Sequence, residues 1–462
     1  MQKVLILDFG SQYTQLIARK IRELGVYSEI LPYATPLAAI RKDRPAALVL
    51  SGGPQSVYGK GAPHPDRGVF ELGVPILGIC YGVQLMAHFL GGEVIPSEER
   101  EYGFAALRVL DRSGLLADVK DREQVWMSHG DRLERVPPGF RLTGSTANTR
   151  AAVIEDKARR FYGVQFHPEV IHTRQGLRVL GNFLFREAGL TPDWTISSFV
   201  ARKVKDIRAT VGKGRVICGL SGGVDSLVTS LLIHKAIGRR LTCIFIDNGL
   251  LRKGQYESLM EAFRHKFALK VVGVDASDLF LEKLRGIASP ERKRKTIGRL
   301  FIHLFEREAM RLGGAAFLAQ GTIYPDVIES NPVKGPSSVI KSHHNVGGLP
   351  KGLRFKLVEP LRELFKDEVR ALALELGVDE DFIHQHPFPG PGLAVRMIGP
   401  VDRESLEILR AADDVVLQEV QRAGLYKKLW QAFAVLLPVR SVGVMGDQRT
   451  YHRVVVVRLV QS

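Results

Sequence analysis

The sequence predicts an α/β protein built on two doubly wound parallel sheets, and three observations carry that prediction. Apolar runs at residues 4–7, 46–50 and 75–79 each stop at a polar or glycine turn, as strands buried on both faces do. Helix-compatible segments such as residues 15–24 lie between them, so strand and helix alternate. The same alternation restarts at residues 215–220 and continues with strand candidates at 241–246 and 270–274. At 462 residues the chain has room for about three domains, each able to bury a core. We place them at residues 1–190, 191–386 and 387–462. Residues 191–214 read as a junction carrying a helix. The run His386-Pro387-Phe388-Pro389-Gly390-Pro391-Gly392 forbids regular structure and marks a hinge. Beyond it come a helical stretch at 403–423 and strand candidates at 441–444 and 454–460.

Composition narrows the class. The 45% apolar and 25% charged content is that of a globular protein. The first residues hold only a four-residue apolar run before a charge, too short for a secretory signal, and no stretch is long enough to span a bilayer. Three cysteines, Cys80, Cys218 and Cys243, form no metal-type spacing and argue against a disulfide framework, so a cytoplasmic location is expected. A formal charge of +16 calls for a polyanionic partner. Nucleic acid is not expected, because aromatic content is only 8% and no nucleic-acid recognition motif is present. A phosphorylated small substrate together with ATP accounts for local basic clusters.

The most specific signal is the loop Ser221-Gly222-Gly223-Val224-Asp225-Ser226, between the strand candidate 215–220 and a helix-compatible run at 227–233. Adjacent glycines let consecutive backbone N–H groups turn inward, and the helix N-terminus adds partial positive charge, which makes a phosphate cradle. The loop has neither the lysine of a Gly-x-x-x-x-Gly-Lys-Ser/Thr motif nor the third glycine of a dinucleotide fingerprint.

A second centre lies in the first domain. Gly78-Ile79-Cys80-Tyr81-Gly82 follows a strand and precedes a helix-like run, so it reads as a nucleophile elbow with cysteine in the nucleophile's place. A helix N-terminus favours the thiolate form. Cys218 and Cys243 sit inside strand runs and read as small core residues. A nucleophile needs a base, and Phe166-His167-Pro168-Glu169 offers one. In an extended segment residues two apart point the same way, so His167 and Glu169 would share a face, the carboxylate orienting the imidazole.

The loop at 221–226 resembles the pyrophosphate loop of ATP pyrophosphatases, which split ATP between the α and β phosphates and adenylylate an oxygen. That resemblance implies ATP contacts at Ser221, Gly222, Gly223, Val224, Asp225, Ser226 and Leu227. The first-domain residues resemble the triad of class I glutamine amidotransferases, implying Cys80 as nucleophile, His167 as general base and acid, and Glu169 as its partner. It also implies glutamine or oxyanion roles for Gly52 and Gly53, for Tyr81 and Gln84 beside the elbow, and for Ser128 and His129 of Ser128-His129-Gly130-Asp131.

Over essentially the whole chain the motifs resemble the glutamine-hydrolysing GMP synthase family. Asp8-Phe9-Gly10-Ser11-Gln12-Tyr13, the run Leu318-Ala319-Gln320-Gly321-Thr322-Ile323-Tyr324-Pro325-Asp326, the segment 340–350 and the segment 386–392 carry the likeness. It implies a flavodoxin-like amidotransferase domain, an adenine-nucleotide α-hydrolase-like domain and a truncated α+β C-terminal domain. The substrates it implies are ATP, XMP and L-glutamine, with Mg²⁺ accompanying ATP, no prosthetic group and a homodimer. Ammonia from glutamine would displace AMP from adenylylated XMP, giving GMP, AMP, pyrophosphate and glutamate.

Further assignments come from the middle region. Arg292-Lys293-Arg294-Lys295 stand at the start of a predicted helix, where cations oppose the helix dipole. They read either as a solvated charge run or as recruitment of a nucleotide phosphate, with Arg294 as the XMP candidate. Asp225, Asp326 and Glu329 are candidate Mg²⁺ carboxylates. Lys341, His343 and His344 lie in a glycine-bounded loop suited to a lid over the adenylylation site, and Lys366 and Asp367 match family residues that couple ATP handling to the other domain. Two departures stand out. Leu227 replaces a common family serine, and the chain ends at Ser462, where family members continue into a Lys-Pro-Pro-x-Thr-x-Glu-Trp-Glu tail that helps bind the XMP phosphate and complete the dimerisation domain. Either the sequence is truncated or the protein binds XMP poorly and dimerises differently; GMP synthesis is the leading expectation, and the alternative is a tail-less relative restricted to glutamine hydrolysis or nucleotide binding.

Overall fold

The computed structural model describes residues 2–330 and 355–461, without the side chains of residues 97–100, 329 and 330. Lys341, His343 and His344, and the side chain of Glu329, therefore lie outside the described residues. The chain forms two compact units, one of residues 2–198 and one of residues 199–330 and 355–461.

The first unit is built on one nine-stranded sheet. Its strands are β1 (Lys3–Asp8), β2 (Tyr27–Pro32), β3 (Ala47–Leu50), β4 (Ile76–Ile79), β5 (Glu93–Val109), β6 (Glu123–Arg135), β7 (Arg141–Ser145), β8 (Val153–Asp156) and β9 (Phe161–Val164). They lie in the order β2-β1-β3-β4-β9-β8-β7-β5-β6. The half from β2 to β9 is parallel, and every residue of β3, β4 and β9 is buried, which is why the sequence shows unbroken apolar runs there. From β9 onward the sheet turns antiparallel. Leu5, Leu48 and Ile76 pack with Val83 and Met86 of the helix Tyr81–Phe89 in the main core. Because β1, β3, β4 and β9 run the same way, the turns that follow them, at Phe9, Ser51, Cys80 and Gln165, all emerge at one edge of the sheet.

The second unit holds a five-stranded, fully parallel sheet of β10 (Arg215–Leu220), β11 (Leu241–Asp247), β12 (Val271–Asp275), β13 (Ala315–Ala319) and β14 (Lys356–Val358), ordered β12-β11-β10-β13-β14. Strand order reverses between β10 and β13, and in open α/β sheets ligands bind at the carboxyl end of such a switch point. The helix Ile196–Val211 lies within residues 191–214.

The last part of this unit is the helix Arg403–Arg422, capped by Asp402 accepting from Ser405 N at 2.8 Å, and a hairpin of β15 (Gln431–Met445) and β16 (Gln448–Val460). The strand pieces expected at 441–444 and 454–460 are portions of these longer strands. Pro438 hides the continuity of β15: it has no N–H for the ladder, and the register shifts between Leu436 and Arg440. Leu393, Leu406, Leu409 and Leu436 share one core cluster with Ile244, Phe280 and Leu304. Among the described residues no helix is long and apolar enough to cross a membrane.

Candidate active site

Cys80 caps the helix Tyr81–Phe89 with φ 51° and ψ −106°, a conformation costly for a residue with a Cβ. The flanking glycines explain how the chain reaches it. A methyl group at Gly82 would stand 2.2 Å from Leu50 O, and one at Gly78 would stand 2.7 Å from Gly82 C, so only hydrogen fits at either place. Cys80 N donates to Val164 O at 2.8 Å, fixing the elbow to the end of β9. The sulfur lies 3.6 Å from Ser128 O and 3.8 Å from Gln165 Nε2.

His167 and Glu169 do meet, but not by the route the sequence suggested. Residues 168 and 169 form a turn instead of an extended segment, and that turn brings His167 Nδ1 to 2.7 Å from Glu169 Oε1. Both side chains are buried. Burial works against the imidazolium, but the Glu169 carboxylate and the Cys80 sulfur outweigh it and hold the His167 pKa well above its usual value. A thiol, an imidazole interacting with it and a carboxylate behind the imidazole are the groups that a nucleophile, its base and an orienting group require.

The surrounding residues divide between this centre and its scaffold. A methyl group at Gly52 would stand 3.1 Å from His167 Cε1, so the turn after β3 lies against the base. Ser51 shapes that turn, its hydroxyl accepting from Phe9 N at 3.1 Å and donating to Gly52 O at 2.8 Å. Gly53 packs on the ring of Tyr81, whose hydroxyl donates to Pro63 O at 3.1 Å. Gln84 is buried, and its Nε2 donates to Asp131 O at 2.8 Å, tying the elbow helix to β6. His129 is buried opposite Glu101 in the β5–β6 ladder, with Nε2 3.4 Å from Glu101 Oε2, and Glu101 accepts from the Thr149 hydroxyl at 2.7 Å. Sequence reasoning did not find Gln165, Thr173 or the ring of Tyr13, which meets His167 edge-on at 5.1 Å. Tyr13 ends the motif at residues 8–13, but nothing in sequence places its ring on His167, and Gln165 and Thr173 belong to no quoted motif; the fold assembles all three.

In the second unit the loop at 221–223 joins β10 to the helix Val224–Ile237. Gly222 has φ +81°, the left-handed turn that the motif requires. The two serine hydroxyls brace the loop: Ser221 N donates to Ser226 Oγ at 3.1 Å, the two Oγ atoms are 3.0 Å apart, and Ser226 Oγ donates to Gly223 O at 3.0 Å. Leu227 is fully buried, so at that position the side chain faces the core and not the loop. The turn after β13 comes to the same point, since a methyl group at Gly321 would stand 3.2 Å from the backbone of Asp225. Asp225 is half-buried in the first helical turn. Asp326 is buried, and its Oδ2 accepts from Ile323 N at 3.1 Å. No group of three His, Cys, Asp or Glu side chains suited to a metal occurs among the described residues.

The basic run at 292–295 is largely satisfied within the protein. Lys293 is fully buried and donates to Ala394 O at 3.0 Å and Met397 O at 2.8 Å. Arg294 forms a bidentate pair with Glu291, at 2.8 and 2.6 Å, and Lys295 lies 3.6 Å from the same carboxylate. The mismatch with the helix dipole is thus relieved by Glu291 in the first turn and by Ser289 as N-cap. Lys366 and Asp367 are exposed at the start of the helix Lys366–Glu375.

Comparison with known proteins places the chain in a family. Residues 5–187 match the Glutamine amidotransferase class-I family, and residues 418–462 match the GMP synthase C terminal domain. The chain is 56% identical over 470 residues to a protein of Chlorobium luteolum described as GMP synthase [glutamine-hydrolyzing], covering all of this chain and 91% of that one. Proteins of the same description from Carboxydothermus hydrogenoformans, 55% identical with 90% of its length covered, and from Nitrobacter hamburgensis, 57% identical with 87% covered, also match over the whole chain. With a class I amidotransferase match in its first unit and 55–57% identity to these relatives over its whole length, the chain belongs to the glutamine-hydrolysing GMP synthases.

Proposed function

We propose that this chain makes GMP by two linked reactions, one in each unit. The observation that carries the reading is the buried His167–Glu169 pair at 2.7 Å behind Cys80, in a chain that also braces a pyrophosphate-type loop at a sheet switch point. In the first unit the Cys80 thiolate attacks the amide carbon of glutamine, with amides of the Gly52–Gly53 turn receiving the negative charge that develops on oxygen. His167 gives a proton to the departing nitrogen, ammonia leaves, and water taken through His167 hydrolyses the thioester to glutamate. In the second unit XMP oxygen attacks the α-phosphorus of ATP and pyrophosphate leaves from the loop at 221–226. Ammonia then adds to the activated carbon and AMP leaves.

Mg²⁺ arriving with ATP would neutralise charge on the departing pyrophosphate. Asp225, in the first turn beside the loop, is the first candidate carboxylate to meet it, with Asp326 and Glu329 as further candidates. Lys341, His343 and His344 are proposed to close over the activated intermediate, with Arg294, Lys366 and Asp367 as secondary XMP candidates. The enzyme is proposed to work in the cytoplasm as a homodimer. The hairpin supports self-association, since Val442, Val444, Met445 and Leu459 are exposed and a second copy would cover them.

The test is GMP formation from XMP and ATP with either glutamine or ammonium as nitrogen source. Cys80→Ala should abolish the glutamine-driven rate and keep the ammonia-driven one. Glutamine hydrolysis without GMP from either source would overturn the reading in favour of a glutaminase-only relative.

A further inference from the structure

We propose that Thr173 is a positioning residue for glutamine hydrolysis: its hydroxyl clips the turn bearing His167 to β6 and thereby sets the imidazole against the Cys80 sulfur. The inference rests on the roles of Cys80 and His167 given above, and concerns a residue to which neither the motifs nor the family likeness gave a role.

The argument begins where β9 ends. After Val164 the chain leaves the ladder, and His167 must be held by something other than regular pairing. His167 N donates to Trp126 O at 3.0 Å, one half of what would be a two-bond exchange between antiparallel neighbours. The other half runs through a side chain. Trp126 N donates to Thr173 Oγ1 at 3.0 Å, and Thr173 Oγ1 donates to His167 O at 2.6 Å. One hydroxyl, accepting once and donating once, completes the pairing across a gap that the turn at 168–169 has opened. Thr173 and His167 are both buried, so water is a poor substitute for either bond.

The strand at the other end of the clip is the one that meets the nucleophile. Ser128, two residues beyond Trp126 on β6, presents the carbonyl that lies 3.6 Å from Cys80 Sγ. β6 thus holds the base through Trp126 and approaches the thiol through Ser128, and Thr173 fixes the first of these two points.

The segment around Thr173 has anchors of its own. Gln124 Nε2 donates to His172 O at 2.9 Å, Gln175 Nε2 donates to Glu123 Oε2 at 2.6 Å, and the rings of Trp126 and His172 stack at 4.5 Å. Removing the hydroxyl should therefore release His167 while leaving residues 172–175 in place.

The test compares Thr173→Val, which keeps the shape and loses the hydroxyl, with Thr173→Ser, which keeps the hydroxyl. In Thr173→Val the glutamine-driven kcat should fall about 10- to 100-fold, the range expected for a misplaced catalytic group, with little change in KM. Thr173→Ser should stay close to wild type, and ammonia-driven synthesis should be unchanged in both. A second readout needs no turnover. The rate of Cys80 alkylation by iodoacetamide, followed by mass spectrometry across pH, reports how the thiol couples to the imidazole, and its inflection should move in Thr173→Val only. The proposal is overturned if Thr173→Val keeps the wild-type alkylation profile, or if Thr173→Ser is impaired as severely as Thr173→Val. Absence of glutamine hydrolysis in the wild type would defeat the functional reading instead, and the alkylation comparison would still decide the clip.

Discussion

Replacing Glu169 by Gln changes a charge and almost nothing in shape, and the structure gives the size of the effect. Glu169 Oε1 is 2.7 Å from His167 Nδ1, with both side chains buried. A hydrogen bond to a charged group contributes about 1.5–3 kcal/mol, which at one decade per 1.4 kcal/mol is about 10- to 150-fold in rate. A second loss adds to it. Among the described residues the buried Glu169 Oε2 has no hydrogen-bond partner, so the amide nitrogen of Gln would become a buried donor without an acceptor, costing about 1–3 kcal/mol more. Glutamine-driven kcat should fall about 100-fold or more, while ammonia-driven synthesis persists. The pH profile should move as well. Burial lowers the His167 pKa and the Glu169 and Cys80 charges raise it, so without the Glu169 charge the imidazolium is lost at a lower pH. Glutamate release measured from neutral to alkaline pH reads both effects. A variant with wild-type kcat and an unmoved alkaline limb would refute the assignment of Glu169 as the orienting group.

Three other predictions concern separate parts of the molecule. Asp225→Asn should slow AMP and pyrophosphate release with glutamine and with ammonia alike; unchanged rates would remove Asp225 from the phosphate site. Gly82→Ala places a methyl group 2.2 Å from Leu50 O, and overpacking of this kind typically costs about 1–3 kcal/mol. Thermal unfolding should show that loss, and a wild-type Tm would mean the elbow relaxes freely. Burial holds Lys293 down to about 8, against an ordinary 10.5, so between those values the unfolded chain binds more protons than the folded one. Stability of the wild type relative to Lys293→Met should therefore rise with pH across that window in urea unfolding; a flat difference would show that Lys293 is not depressed.

Much of this was readable before the structure. The runs at 4–7, 46–50, 75–79 and 215–220 are strands because burial on both faces leaves no room for polar residues, and such runs are visible one at a time. The turns at Cys80 and at 221–223 were visible because their backbones need glycines at fixed offsets. The antiparallel half of the first sheet was not. Its β6, Gln-Val-Trp-Met-Ser-His-Gly-Asp-Arg at 124–132, mixes apolar, polar and charged side chains, and only pairing with β5 makes it a strand. His167 and Glu169 were paired for the wrong reason, since a turn does what an extended segment was expected to do. Lys293 shows the opposite failure. In sequence it is one cation among four, and nothing local says that the carbonyls of Ala394 and Met397 take it out of solvent.

The loop at 221–226, proposed above to hold pyrophosphate, is braced from within. Its two serine hydroxyls bond to each other and to the loop's own backbone, so the cradle has its shape from folding and does not wait for a nucleotide to impose it. A ligand entering a preorganised site is spared the entropy of ordering a glycine-rich segment, and more of its contact energy appears as affinity. Seen this way, Ser221 and Ser226 act first as splints. Two adjacent glycines, which would otherwise be the most mobile part of the active site, are held ready for an anion by side chains whose hydrogen bonds are made within the loop itself.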